Sequence, residues 1–203
     1  KIERKDILED ILNTLSSLIS SLTNPTNITN SIKSIKKEKL SSNTVSDYIE
    51  HCLDAFLISE AKRYDVKGKH YFEYPNKYYF VDIGLRNARL NFRQFDTGHI
   101  MENIVYNELI SRGYSVDIGV VVDRRNNTNC QKEIDFVVNL GDKKMYIQSA
   151  WQMNTDKKIN RNFESSYFNC SISSSDKPVY LEIVDIDIPS FNIFKAVFFI
   201  PSA

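Results

Sequence analysis

Two acidic side chains, Glu133 and Asp135, stand two positions apart in an otherwise mostly apolar segment of the sequence. Because side chains alternate between the faces of a β-strand, both carboxylates are expected on one face, and Ile134 and Phe136 are left for the core. Two carboxylates on one face are either a site that performs chemistry or a solvated strand edge. The residues alone leave that alternative open.

Other familiar chemical patterns are absent from the sequence. The three histidines show no ligand spacing with cysteines or carboxylates, and the three cysteines are widely separated and odd in number. Neither a zinc site nor a disulfide framework is expected, and a reducing cytoplasm fits best. No Gly-x-x-x-x-Gly-Lys-Ser/Thr loop occurs, so this chain is not itself expected to hydrolyse nucleotides. No apolar stretch is long enough to predict a membrane span.

The composition predicts a folded protein without a dominant charge. Hydrophobic residues make up 42% of the 203 residues, and the 26 basic and 26 acidic side chains cancel. A packed core is therefore expected, with no global attraction to nucleic acid or to an acidic membrane. Lys1 in place of a methionine indicates a fragment or a processed product.

The first half of the chain predicts three helices and a β-hairpin. Apolar residues recur at helical spacing from Ile7 to Leu22, from Ile28 to Ile35, and from Val45 to Phe56. The period then changes, and strands are expected at Leu57–Tyr64, His70–Tyr74 and Lys77–Val81, with a turn at Asp65–Lys69. Three helices followed by a hairpin indicate a winged helix-turn-helix over residues 1–90.

The second half predicts a small α/β domain over residues 91–203, with the junction near Arg86–Arg93. A long helix is expected at Asp96–Arg112, closed by Gly113. The elements expected after it are three strands, a polar helix and terminal strands, at Ser115–Val122, Glu133–Asn139, Lys144–Ser149, Thr155–Tyr167, Val179–Val184 and Ala196–Ile200. This order is that of a restriction-endonuclease-like αβββαβ core. The fold class is therefore mixed α/β, or α+β.

Several phrases, taken in order, resemble the C-terminal region of a widespread prokaryotic AAA+-type ATPase family. They are Asn24–Ile28, Ser42–Ile49, Lys77–Ala88, His99–Leu109, Glu133–Val137 and Tyr146–Ala150. In that family an ATPase domain precedes a winged helix and an uncharacterised domain related to the PD-(D/E)XK nucleases. The resemblance implies an upstream ATP-binding domain as a partner within the same protein.

The nuclease resemblance also implies a site for Mg²⁺, a hard ion that prefers oxygen ligands. Asp135 matches the first metal carboxylate, and Glu102 matches a glutamate from the first helix. The E-x-K motif reads Gln148-Ser149-Ala150, so Gln148 offers the metal a carbonyl oxygen without charge, and Ala150 replaces the lysine. A site without the negative charge of the acidic residue and without the lysine cation is expected to lose most of its phosphodiester hydrolysis.

Basic and polar residues near the third helix and in the hairpin are candidates for nucleic-acid contact: Lys36, Lys37, Lys39, Asn43, Lys67 and Lys69. The exposed face expected on the third helix is acidic, at Asp47, Glu50 and Asp54, which disfavours phosphate contact there. Direct DNA binding and simple solvation of these charges both remain open.

The expected function is a C-terminal module through which an ATPase engages nucleic acid or another substrate, with a degenerate nuclease-like domain. One alternative is an active Mg²⁺-dependent nuclease with a displaced lysine, for which Lys158 is the candidate beside Lys157 and Arg161. The other alternative is a protein-interaction module that could self-associate.

Overall fold

The structure, a computed structural model, describes residues 4–37, 39–123, 130–141, 143–150, 179–188 and 191–201. Its helices are α1 (Lys5–Ser17), α2 (Pro25–Lys36), α3 (Ser42–Asp54), α4 (Ile83–Arg89) and α5 (Thr97–Ser111). Its strands are β1 (Leu22–Thr23), β2 (Ile58–Ala61), β3 (Arg63–Asp65), β4 (His70–Tyr71), β5 (Asn76–Phe80), β6 (Ser115–Asp123), β7 (Cys130–Leu140), β8 (Lys143–Ala150), β9 (Val179–Ile188) and β10 (Phe191–Pro201). The mixed α/β class expected from the sequence is confirmed.

The chain forms two compact units that interleave along the sequence. The first unit contains Lys1–Lys62 and Phe72–Asn107, and the second contains Arg63–Tyr71 and Glu108–Ala203. Residues 63–71 thus belong to the second unit, although the residues before and after them belong to the first. The proposed division into residues 1–90 and 91–203 stays a prediction about the sequence.

Three helices build the core of the first unit, as their spacing predicts. Asn24 caps α2 by accepting a hydrogen bond from the Asn27 amide, and Ser41 caps α3 in the same way from Thr44. The helices share one buried cluster that includes Ile7, Ile11, Leu15, Ile28, Ile32, Val45 and Ile49.

Three residues assigned to these apolar helix faces are instead exposed: Leu22, Ile35 and Phe56. Ile35 is 79% exposed in the last turn of α2, and Phe56 is 80% exposed just beyond α3. Phe56 adopts a positive φ of 55°, which turns the chain from the helix toward β2 and carries its side chain off the helical stripe. The apolar pattern thus extends beyond α1 to Leu22, which lies in β1, and beyond α3 to Phe56, whereas Ile35 lies inside α2 and is exposed there.

A three-stranded antiparallel sheet completes the first unit, in the order β1-β5-β2. The single strand expected at Leu57–Tyr64 is wrong, because the chain changes sheets at Lys62. Ile58–Ala61 pairs with β5, whereas Arg63–Asp65 pairs in parallel with β6 in the second unit. The expected strand His70–Tyr74 is likewise shortened to β4.

The second unit contains a seven-stranded sheet in the order β4-β3-β6-β7-β8-β10-β9. All neighbours pair antiparallel except β3 and β6. The three central strands lie where they are predicted, and Gly141 takes the positive φ of 62° in the turn between β7 and β8. The helix predicted at Thr155–Tyr167 lies outside the described residues.

A β-bulge interrupts the pairing of β6 and β7. Asp117 lies opposite Val137, but Gly119 lies opposite Ile134, so Ile118 alone faces two residues of β7. Those two residues are Asp135 and Phe136. The bulge breaks the simple alternation assumed from the sequence, and bulges commonly re-aim a side chain.

Gly119 lies beside this bulge, and its substitution tests how tightly the strands pack. A Cβ atom at Gly119 would lie 2.8 Å from Ile134 Cβ and 2.8 Å from Val137 Cγ2. We expect Gly119→Ala to lower the free energy of unfolding by about 1–3 kcal/mol, measured by urea denaturation. Gly98→Ala in α5 is the control, since its nearest neighbour would be 3.6 Å away. Equal stability of the two variants would contradict this packing.

Candidate functional site

Asp135 is fixed by hydrogen bonds from the neighbouring strand. Its Oδ2 accepts from the Ser149 backbone N–H and from the Ser149 hydroxyl, both at 2.8 Å. Its own backbone N–H donates to Gln148 Oε1 at 3.4 Å. The side chain is buried, with only 8% of its surface exposed. The structure therefore brings Asp135 and Gln148 together, and Asp135 Oδ2 and Gln148 Oε1 both accept hydrogen bonds from the protein.

Glu102 is likewise committed to protein contacts. Its Oε1 accepts from Lys77 Nζ at 2.9 Å and from the Tyr79 hydroxyl at 2.8 Å. The Tyr79 ring stacks on Tyr106 with centroids 4.0 Å apart. Glu102 and Lys77 are both buried, so Glu102 is not a surface residue of its helix. A buried carboxylate is stabilised by this kind of pairing with a cation and a hydroxyl.

Asn103, the residue after Glu102, strengthens the same junction between α5 and β5. Its Oδ1 accepts from the Phe80 amide at 2.7 Å, and its Nδ2 donates to the Phe80 carbonyl at 2.8 Å. Asn107 Nδ2 also donates to the Phe80 carbonyl at 2.9 Å. The polar side chains on this face of α5 thus hold the helix to β5.

The residues of the expected nuclease site belong to different parts of the fold. Glu102 lies in the first unit, while Asp135 and Gln148 lie in the second. Lys158 lies outside the described residues. Within the described ranges, no three histidine, cysteine, aspartate or glutamate side chains gather as metal ligands. Metal binding by Asp135 and Gln148 stays a prediction.

The expected nucleic-acid contacts divide between the two units. In the first unit, Lys37 and Lys39 are exposed, as is Asn43 in the first turn of α3. Lys36 Nζ instead pairs with the Asp10 carboxylate at 2.5 Å. The remaining two, Lys67 and Lys69, are exposed on the β3–β4 hairpin of the second unit.

The outward face of α3 is acidic, as the sequence indicates. Asp47, Glu50 and Asp54 are all exposed at spacings of three and four residues. Side chains at this spacing share one face of a helix. That face repels phosphate groups, so any nucleic-acid contact by α3 must use its first turn.

A cluster that the sequence did not single out lies in the second unit, and we call Tyr64, Tyr71 and Lys144 the tyrosine face. The rings of Tyr64 and Tyr71 lie directly opposite each other on β3 and β4, with centroids 5.1 Å apart. Lys144 Nζ lies 5.2 Å from the Tyr64 centroid. The sequence comes within one residue of this pair, because the turn predicted at Asp65–Lys69 places Tyr64 opposite His70 rather than Tyr71.

Asp117 anchors the tyrosine face from within the sheet. Its Oδ2 accepts from the Tyr71 hydroxyl at 2.9 Å, and the carboxylate is buried. Partial burial, together with this hydrogen bond, raises the pKa of Tyr71 to about 12. The phenol of Tyr71 is therefore neutral at physiological pH, and its ring orientation is fixed although 56% of the residue is exposed.

Comparison with known proteins finds families without an assigned function. Residues 1–96 match a domain of unknown function, DUF8612, and residues 97–191 match another, DUF4143. No solved structure is significantly similar to the chain. In the described part of the chain, no helix is long and apolar enough to cross a membrane.

Two curated relatives are similar to parts of this chain. An uncharacterised protein of Haemophilus influenzae is 38% identical over 113 residues, which are 56% of this chain and 26% of that protein. An uncharacterised protein of the archaeon Methanocaldococcus jannaschii is 29% identical over 154 residues, which are 76% of this chain and 31% of that protein. The chain therefore spans about a quarter to a third of the length of the curated relatives it matches.

Proposed function

We propose that this chain is a non-catalytic, nucleic-acid-engaging module of a longer ATP-binding protein. The proposal that the chain is non-catalytic rests on the hydrogen bonds of the two carboxylates that match the nuclease site. Asp135 accepts two hydrogen bonds from Ser149, and Glu102 accepts from Lys77 and Tyr79. With Ala150 at the position of the lysine, these carboxylates serve the fold rather than hydrolysis.

The order of elements in the first unit supports a winged helix-turn-helix. It runs helix, strand, helix, helix, strand, strand, with an antiparallel sheet in the order β1-β5-β2. In this class the third helix, here α3, is the recognition helix. For the second unit, the meander β6-β7-β8 supports a nuclease-like core, with Asp135 on its second strand; the preceding helix α5 belongs to the first unit as far as Asn107.

The ATP-binding part of the proposal concerns the rest of the protein. DUF4143, which residues 97–191 match, is typically found with AAA ATPase domains. The relatives extend well beyond the matched region, which leaves room for such a domain. ATP would be bound there, and the present chain would bind the substrate on which the ATPase acts.

Nucleic-acid contact by the first unit would centre on the start of α3. Lys37, Lys39 and Asn43 are exposed there, while the acidic face begins one turn later at Asp47. Lysines bind phosphate as point charges, and such contacts position a duplex without reading its sequence. The proposed interface is therefore small and sensitive to salt.

A binding experiment tests this proposal. Fluorescence anisotropy with a labelled duplex at two salt concentrations is expected to show salt-sensitive binding that weakens in the Lys37→Asn/Lys39→Gln double variant. The dependence of log affinity on log salt should fall by about 2, one for each lost phosphate contact. Lys5→Gln, which removes an exposed lysine from α1, is the matched control. Binding that is unchanged in the double variant would remove α3 from the interface.

A cleavage assay on the same samples tests the rival nuclease. We expect no Mg²⁺-dependent cleavage by the wild-type chain, and Asp135→Asn is expected to leave duplex binding unchanged. Cleavage that disappears in Asp135→Ala would instead establish an active enzyme with a displaced lysine.

The acidic face of α3 favours a second candidate, a protein-interaction module. Asp47, Glu50 and Asp54 would suit a basic partner surface or a second copy with complementary charge. This candidate predicts no salt-sensitive DNA binding at tens of micromolar protein, so the same titration separates the two functions.

A further inference from the structure

The tyrosine face offers an exposed aromatic ring that is held in one orientation. Tyr71 is 56% exposed, yet its hydroxyl is bonded to the buried Asp117 and its ring contacts Tyr64. Holding a ring in place before binding reduces the entropy lost when a ligand stacks on it. An exposed tyrosine without such contacts would be an ordinary surface residue.

The ring of Tyr64 has no side chain at the position opposite it on β6, and Lys144 reaches this ring from a different cross-strand row, in which it pairs with Asn139. Tyr71 pairs with Tyr64, and Tyr64 pairs with Gly119, which places no side chain beside it. Lys144 extends from β8 and sets its ammonium 5.2 Å from the Tyr64 centroid. A cation over an aromatic face is favourable and stays available to a nearby anion.

The turn of the same hairpin carries exposed positive charge. Lys67 and Lys69 are exposed, whereas the single acidic residue of the hairpin, Asp65, is buried. The Asp65 Oδ1 accepts from the Lys67 amide at 3.0 Å and the Gly68 amide at 2.9 Å, and His70 Nδ1 lies 3.8 Å from its Oδ2. The exposed charges of the turn are therefore positive, which suits a polyanion, while two carboxylates lie near Tyr71: the buried Asp117 that bonds its hydroxyl and the exposed Glu73 two residues further along the chain.

We propose that the tyrosine face binds single-stranded DNA, with a base stacked on Tyr71 and the backbone phosphates near Lys69 and Lys144. A base must be unpaired before its face can lie on a protein ring, and base stacking on aromatic side chains combined with positive charge is the chemistry of single-strand binding. We commit to DNA because the winged helix proposed for the first unit belongs to a class of DNA-binding modules. This inference deepens the proposed function and rests on its nucleic-acid part, but it uses different residues.

Anisotropy of the whole chain with a labelled 15-mer of thymidylate and with a 15-base-pair duplex tests the inference. We expect Tyr71→Leu to weaken binding of the single strand by about tenfold or more, the loss of one stacked base. Tyr71→Phe keeps the ring but loses the hydroxyl bond to Asp117 that orients it, so we expect it to weaken single-strand binding less than Tyr71→Leu does. Tyr74→Leu, which alters an exposed tyrosine outside the tyrosine face, is the control.

Lys69→Asn is a second variant that tests the same inference if Tyr71→Leu fails to fold. Asparagine tolerates the positive φ of 54° at this exposed turn position, so the variant should fold while losing one charge. We expect it to weaken single-strand binding roughly threefold and to lower the salt dependence by about 1. Unchanged single-strand affinity in both Tyr71→Leu and Lys69→Asn would overturn the inference.

The outcomes separate this inference from the proposed function. If Lys37→Asn/Lys39→Gln weakens duplex binding but Tyr71→Leu leaves single-strand binding intact, the inference fails and the proposed function survives. If Tyr71→Leu weakens single-strand binding while no duplex binds, the inference stands without the α3 interface. Absence of binding to either DNA overturns both. Tighter, Tyr71-dependent binding of an RNA 15-mer overturns the assignment to DNA.

Discussion

Replacing Glu102 by alanine is expected to lower the free energy of unfolding by about 3–5 kcal/mol, because it leaves the buried Lys77 ammonium without its carboxylate. Lys77 Nζ lies 2.9 Å from Glu102 Oε1, and their side chains are only 5% and 10% exposed. The Tyr79 hydroxyl loses its acceptor in the same variant. Chemical denaturation followed by circular dichroism measures the effect.

Glu108→Ala is the matched control, since Glu108 lies on the same helix but on its exposed side. It pairs with Arg112 one turn later, and such surface pairs contribute less than about 1 kcal/mol. A second variant, Lys77→Met/Glu102→Leu, removes both charges and should recover much of the lost stability. A Glu102→Ala variant as stable as Glu108→Ala would show that the buried pair contributes little to the fold.

This prediction separates a structural glutamate from a catalytic one. Residues poised for catalysis often cost stability, so their removal leaves the fold unchanged or strengthens it. The contacts of Glu102 to Lys77 and Tyr79 predict the opposite sign. Stability measurements therefore bear on the function even before a substrate is known.

Local signals in the sequence predict most of the elements of the fold. The three helices follow from apolar spacing and from caps such as Asn24 and Ser41. The strands β6, β7 and β8 follow from apolar runs and from the glycine turn at Gly141. Each of these signals lies within a few residues of the element that it predicts.

The features that the sequence misses depend on distant partners. The segment 57–64 looks like one strand, but its second part pairs with Ile118–Val120, more than fifty residues away. The bulge at Asp135 likewise follows from pairing with β6, and no local residue pattern encodes it. A single sequence without such pairing information cannot assign these registers.

The sequence predicts that Asp135 and Gln148 lie together, and they do, but it does not predict the donors that hold Asp135, which come from Ser149. For Glu102, the deciding partners Lys77 and Tyr79 come from β5, which precedes it by more than twenty residues. The tyrosine face was missed by one residue of register, because the turn predicted at Asp65–Lys69 places Tyr64 opposite His70, whereas the structure pairs it with Tyr71.

Arg86→Met is expected to lower the free energy of unfolding by about 2–4 kcal/mol, because it removes a buried donor that serves three acceptors. Arg86 Nε donates to the Ser16 carbonyl at 2.9 Å, and Nη1 donates to Asn87 Oδ1 at 2.9 Å and to the Gln94 carbonyl at 2.8 Å. Methionine retains the apolar volume, so the loss reports on these bonds. Urea denaturation measures the change.

The direction of the change in stability is informative, because burying the charged guanidinium costs free energy that its hydrogen bonds must offset. Burial lowers the pKa of Arg86, against the opposing influence of the Asp96 carboxylate, and no carboxylate in the described residues lies within ion-pair distance of it. The Ser16 carbonyl lies in the last turn of α1, where a cation also favours the helix dipole. Arg93→Met, at an exposed position, is the control and should change stability by less than about 0.5 kcal/mol. An Arg86→Met variant more stable than wild type would mean that the cost of burying the charge exceeds what its three hydrogen bonds return.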